Sequence, residues 1–166
     1  MTDKTFAERC LRNNARYAET FDKADLPAPP VRKAAVVACM DARMDTARLL
    51  GLEEGDAHVI RNAGGVVTDD VLRSLLISQR LLGTEEIILV QHTGCGMLTF
   101  RDDDLKDAIE ADTGLRPAFS LEAFQHLEEN VRQSIRRIEA CPFLPLKDRI
   151  RGFVYEVETG RLREVA

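Results

Sequence analysis

The sequence predicts a single α/β domain with a mainly parallel central sheet and helices on its faces. Three observations predict it. Short continuous apolar runs, KAAVVAC (33–39), AHVI at the start of 57–65 and EEIILVQ (85–91), alternate with helical patterns. The alternation closes on 150–165, which reads as strand, turn and strand. The 166 residues suit one domain with a sizeable core.

Residues 5–20 read as a helix, charged on one side, with Phe6, Leu11 and Tyr17 among its apolar positions. PAPP at 27–30 breaks the chain after it. Residues 1–30 therefore form an N-terminal helical arm, too small for its own core and suited to packing on a partner subunit, and 31–166 form the α/β domain. Strand 33–39 is apolar enough to be buried on both faces. TARLLGL (46–52) is helical and stops near Gly51 and Gly55, and AHVIRNAGG (57–65) is a second strand running into a glycine-rich loop. Residues 68–83 are an amphipathic helix capped by Thr68 or Asp69, apolar along Val71, Leu72, Leu75, Leu76 and Leu82, and stopped by Gly83. Strand 85–91 follows, then a helix over 102–114 whose acids, Asp102, Asp103 and Asp104, form a solvated start at its positive end. A long helix over 120–140 takes Ser120 as cap, with Leu121, Phe124, Val131, Ile135 and Ile138 at helical spacing. Residues 150–165 make a strand, a turn at Thr159 and Gly160, and a last edge strand. The implied sheet order is 2-1-3-4 plus that C-terminal strand.

A net charge of −5 with no basic cluster argues against nucleic-acid or anionic-membrane partners. The N-terminal residues lack the apolar core of a signal peptide, and no apolar run is long enough to span a bilayer, so the chain reads as cytoplasmic. In a reducing compartment Cys10, Cys39, Cys95 and Cys141 do not make a disulfide framework, which leaves free thiols or metal ligands.

Ligands of an open parallel sheet bind beyond the carboxyl ends of its strands, where the strand order reverses. Strand 33–39 ends in CMDAR, and strand 85–91 ends in QHTGCGM. If the two strands are neighbours, Cys39, His92 and Cys95 converge in one crevice. Two sulfurs and a nitrogen suit tetrahedral Zn²⁺, with a fourth position left for water or for a closing ligand. Gly94 and Gly96 let the backbone turn there. Asp41 could accept a hydrogen bond from water on the metal or bind the metal itself, and Arg43 could hold Asp41 ionised as a bidentate partner. Taken alone, Cys39 is a small buried hydrophobe, and the HxxC partner tips it to a ligand; the plain reading of Asp41 is a helix cap and of Arg43 a solvated cation. Cys10 and Cys141 lack metal-type neighbours. His58 and His126 read as core or solvated histidines. The loop Asn62, Ala63, Gly64 and Gly65 lacks the GxGxxG and P-loop patterns, which sets nucleotides aside.

CMDAR (39–43), HTGC (92–95) and RNAGG (61–65) together resemble the β-class carbonic anhydrases, over nearly the whole chain and in the small bacterial and archaeal branch. The resemblance implies zinc held by Cys39, His92 and Cys95, a catalytic dyad of Asp41 and Arg43, and a pocket-lining loop of Asn62, Ala63, Gly64 and Gly65. It implies Asp41 as a fourth ligand in a closed state. It also implies a homodimer or homotetramer whose N-terminal helix wraps a neighbour, and reversible hydration of carbon dioxide to bicarbonate and a proton. That branch often reads HHTDCGM, where this chain has Gln91 and Gly94 at positions that are not ligands. Three other readings stay open: hydrolysis of carbonyl sulfide or carbon disulfide on the same site, a non-catalytic zinc protein closed by Asp41, and thiol redox chemistry, against which the lack of CxxC speaks.

Overall fold

The structure, a computed structural model, describes residues 5–166. The first four residues of the arm predicted over 1–30 lie outside that range. Helix α1 (Phe6–Glu19) starts at a capping box, in which Thr5 accepts from the Glu8 N–H and Glu8 accepts from the Thr5 N–H. It buries none of its residues, and Phe6 and Leu11 are 77% and 72% exposed. Among the described residues no helix is long and apolar enough to cross a membrane.

The sheet follows the predicted order. Strands β1 (Ala34–Cys39), β2 (Ala57–Asn62), β3 (Glu86–His92) and β4 (Ile150–Glu156) run parallel, and β5 (Arg161–Glu164) returns antiparallel at the edge, giving β2-β1-β3-β4-β5. Helix α2 (Thr46–Leu50), capped by Asp45, joins β1 to β2. Helix α3 (Asp69–Leu82) is capped by Thr68 and stopped by Gly83, and α4 (Asp102–Thr113) and α5 (Leu127–Ala140) lie between β3 and β4. Both faces of β1 are covered. Val37 packs with Leu75, Leu89, Val131 and Ile138 on the face of α3 and α5. Val36 and Ala38 pack with Val90, Met44, Met97 and Phe124 on the other. Each large side chain buried in these layers contributes about 1.5–3 kcal/mol. Helix α5 comes very close to β4 because Gly152 has no side chain: a Cβ there would sit 2.4 Å from a methyl of Val131.

The helix predicted over 120–140 begins only at Leu127, and Ser120 is not its cap. The Asp102 carboxylate decides this. It accepts the N–H groups of Leu121 (2.8 Å), Glu122 (3.2 Å) and Ala123 (2.8 Å) and the Ser120 hydroxyl (3.2 Å), so 120–123 wraps around an acid. Glu122 is left in a left-handed conformation, φ 63°. Leu121 and Phe124 stand three apart as in a helix, but Phe124 donates its N–H to the Met97 carbonyl and fills the second core layer. Asp102 is thus an anchor and not a solvated helix start.

Gly65 ends the 3-10 turn Ala63–Gly65 at φ 62°, and a Cβ there would lie 2.8 Å from the Cys39 nitrogen. Gly65→Ala is expected to cost about 2 kcal/mol or more, read as a lower midpoint of urea unfolding. Asp102→Asn is expected to cost about 1–2 kcal/mol at pH 7, because an amide replaces one acceptor oxygen with a donor. Burial pushes the Asp102 carboxyl up, but the N–H groups of Ala123, Leu121 and Glu122 outweigh it and hold it below the usual range. A carboxylate lowered on folding stabilises above its ordinary pKa of about 4 and loses that contribution as pH falls through its folded value. The stability gap between the unaltered chain and the Asp102→Asn variant, measured by thermal melts, should therefore narrow below about pH 4.

Candidate metal centre

β1 and β3 pair in register, Ala38 opposite Val90, so the residues just beyond their carboxyl ends meet. Cys39 is the last residue of β1, His92 the last of β3, and Cys95 follows after a turn in which Gly94 takes φ 60°. Gly96 needs no such freedom and opens a 3-10 turn, Gly96–Leu98. Among the described residues, Cys39, His92 and Cys95 form the group of possible metal donors whose ligand atoms all lie within 4.8 Å of one another, and all three are buried.

The donor atoms fit zinc. The two sulfurs are 3.9 Å apart. Two thiolates on one tetrahedral zinc, with Zn–S bonds of about 2.3 Å, stand about 3.8 Å apart. His92 donates from Nδ1 to the Thr93 carbonyl at 2.8 Å, which leaves Nε2 as the lone-pair nitrogen. That Nε2 is buried and has no hydrogen-bond partner. A fully buried imidazole with an orphaned acceptor is costly unless a cation occupies it. The two sulfurs are within hydrogen-bonding reach, and that contact pulls the Cys39 thiol down and pushes the Cys95 thiol up. A metal competes with protons for these atoms, so its binding releases them.

Asp41 lies beside this group, with Oδ2 3.5 Å from His92 Nε2. Its oxygens face Arg43, which donates from Nε to Oδ1 (2.9 Å), from Nη2 to Oδ2 (2.7 Å) and from its backbone N–H to Oδ1 (2.9 Å). The Arg43 side chain, and then its backbone, hold the Asp41 carboxyl well below the usual carboxylate range. Arg43 also reaches the Gly94 carbonyl at 3.0 Å and so ties the two chain ends together. Asp41 is not a helix cap; Asp45 is.

A cleft of about 390 Å³ opens over Cys39 and Cys95, bounded by Asp41, Ala63, Gly64, Met97 and Phe100. Of the predicted loop, Ala63 and Gly64 line this cleft. Asn62 and Gly65 lie behind it: the Asn62 amide donates to the Val66 carbonyl, and Gly65 packs under the ends of β1 and β3. A larger apolar groove of about 510 Å³ lies elsewhere, between Leu72, Leu76 and Phe143. The metal-type donors converge at the smaller cleft.

Two supporting roles escape sequence reasoning. Arg61, on β2, donates to the Cys39 carbonyl from Nε (2.9 Å) and Nη2 (2.8 Å), and to the Asp41 carbonyl at 2.8 Å. Its signals in the sequence are its place at the head of RNAGG and an arginine inside a strand that should be part buried; neither names the carbonyls it holds. Gln91 is fully buried and donates to Asn130 on α5 at 2.6 Å, so it fixes the strand to the helix behind the site. His58 bonds Ser78, far from the donors, and Cys141 is buried in the first core layer while Cys10 is exposed.

Comparison with known proteins agrees with this geometry. The family model described as carbonic anhydrase matches residues 34–162. Beta-carbonic anhydrase 1 of Mycobacterium tuberculosis is 60% identical over 161 residues, covering 97% of this chain and 98% of that one. A carbon disulfide hydrolase of Acidithiobacillus thiooxidans is 35% identical over 156 residues, 81% of this chain and 78% of that one. The crystal structure of a carbonic anhydrase from Streptococcus mutans superposes with a TM-score of 0.93 at 39% identity, covering 99% of this chain and 100% of that one. With the matched span running from β1 into β5 and containing every donor at the site, the chain belongs to the carbonic anhydrase family, in its β class.

Proposed function

We infer that the chain catalyses the reversible hydration of carbon dioxide to bicarbonate and a proton, with zinc as cofactor. The observation that carries the reading is the convergence of Cys39, His92 and Cys95 on one point, beside a carboxylate that Arg43 holds ionised. Cys39 and Cys95 would hold the metal through Sγ, and His92 through Nε2. When bound, zinc supplies a Lewis acid that brings the ionisation of water toward neutral pH.

The chain's own residues then orient the reaction. With both oxygens engaged by Arg43, Asp41 stays ionised and can only accept. A water or hydroxide beside it is admitted with an O–H aimed at Asp41, which turns an oxygen lone pair into the cleft. Ala63, Gly64, Met97 and Phe100 give carbon dioxide an apolar wall to lie against. The oxygen bonds the carbon, one C=O pair of electrons moves to oxygen, and bicarbonate forms. The proton released earlier from water leaves to solvent.

Two rival readings are weaker. Carbon disulfide is the runner-up substrate, but identity is higher to the relative named for carbonic anhydrase, 60% against 35%. A permanently closed, non-catalytic zinc site would need Asp41 on the metal, and here Arg43 holds both its oxygens. We further assign residues 1–30 as an arm and 31–166 as the catalytic domain. The exposed Phe6, Leu11 and Tyr17 of α1 suit a homodimer or homotetramer in which the arm covers a neighbour. Free cysteines beside thiolate ligands suit a reducing compartment, and the cytoplasm is the location we assign.

Stopped-flow hydration of carbon dioxide, with zinc content measured on the same sample, tests the function; a zinc-loaded chain at the uncatalysed rate would sink it. Asp41→Asn should keep its zinc and lose about 100-fold or more in kcat. Full turnover in that variant removes the orienting role. Cys39→Ala should lose zinc and hydration together, as metal analysis of the purified variant would record.

A further inference from the structure

His92 donates from Nδ1 to the carbonyl of the very next residue, Thr93, at 2.8 Å. An acceptor so close in sequence is in place only if the Thr93 backbone is fixed, and the structure shows what fixes it. The Thr93 N–H donates to the Tyr155 carbonyl at 2.9 Å, one step past the His92–Tyr155 pair that ends the β3–β4 ladder. The Thr93 hydroxyl accepts from the Val157 N–H at 3.1 Å and donates to the Glu158 carboxylate at 2.9 Å. Three points on one short stretch of chain therefore grip both the main chain and the side chain of Thr93. Arg43 grips the next carbonyl, that of Gly94, at 3.0 Å.

We propose that Thr93 and Glu158 are positioning residues for the metal: the turn after β4 clamps the Thr93 carbonyl, which fixes the tautomer and ring orientation of His92 and so sets the zinc affinity of the site. The inference rests on the reading that Cys39, His92 and Cys95 hold zinc. Partners that orient a metal-bound histidine are worth about 10–100-fold in metal affinity. Glu158 touches no metal donor, and it is exposed on a turn, so its removal leaves the core intact. Its carboxyl lies below the usual range because its own backbone N–H and the Thr93 hydroxyl donate to it, and the charge of Arg43 adds to this.

The test is the zinc dissociation constant of the full chain, measured by competition with a chromogenic chelator, for Thr93→Val, Thr93→Ser and Glu158→Gln. Thr93→Val keeps the shape and loses the hydroxyl; it should weaken zinc about 10–100-fold. Thr93→Ser restores the hydroxyl and should return to within about 3-fold of the unaltered chain, which a packing role for the threonine would not produce. Glu158→Gln should weaken zinc by about 3-fold or more. Nitrogen-15 spectra of His92 should show the Nδ1–H form in the unaltered chain and a mixture in Thr93→Val. Folded Thr93→Val with unchanged zinc affinity overturns the clamp. If Thr93→Val does not fold, Glu158→Gln decides: weaker zinc supports the clamp and unchanged zinc overturns it. An unaltered chain that binds no zinc overturns the metal site itself, and the clamp with it.

Discussion

The in-register parallel pairing of β1 with β3 is the constraint on which the site depends. With Ala38 opposite Val90, the two strands end within one residue of each other, and the residues at and beyond their ends share a crevice. A slip of one residue would exchange the faces of β1 and carry the Cys39 sulfur away from His92. Both sides of the pair resist such a slip, because Val37 and Val36 are locked into separate apolar layers on opposite faces. The close seat of Gly65 under the Cys39 nitrogen adds a third lock at the strand end. The chemistry sits on the last residues of rigid strands and on the turns that leave them without slack.

Charge explains much of what surrounds the donors. With a metal bound, two thiolates and Asp41 would bring negative charge into a half-dry crevice, and the divalent cation with Arg43 would balance it. Arg61 does a different job: it holds backbone, not side chain, by donating to the Cys39 and Asp41 carbonyls. Arg43 and Arg61 therefore hold the same turn from two directions, one by its carboxylate and one by its carbonyls. A lysine in either place could not make the forked contacts.

The sheet order and the three donors were legible because they rest on local signals: apolar runs long enough for buried strands, and soft ligands at their ends. The pairing of Asp41 with Arg43 was legible from their spacing after Cys39. The start of α5 was not, since Leu121 and Phe124 keep helical spacing while a carboxylate distant in sequence, that of Asp102, takes the backbone N–H groups that a helix would need satisfied. Long-range capture of that kind leaves no local trace. The same holds for Arg61, Gln91 and Thr93, whose partners lie on another strand, a helix and a turn distant in sequence. Of the loop read as pocket lining, only position in space separates Ala63 and Gly64, which face the cleft, from Asn62 and Gly65 behind it.

Asp102 staples the chain to itself at Ser120–Ala123, so everything between is a loop excursion tied off at its base. That excursion looks after its own charges: Arg116 pairs back to Asp103 and Asp107, and α4 buries none of its residues. The stretch from 103 to 119 is therefore free to lengthen, shorten or change sequence in descendants of this chain without disturbing Phe124 or the metal crevice beneath it. It is where evolution, or a protein engineer, has room to graft a new surface onto an unchanged reaction.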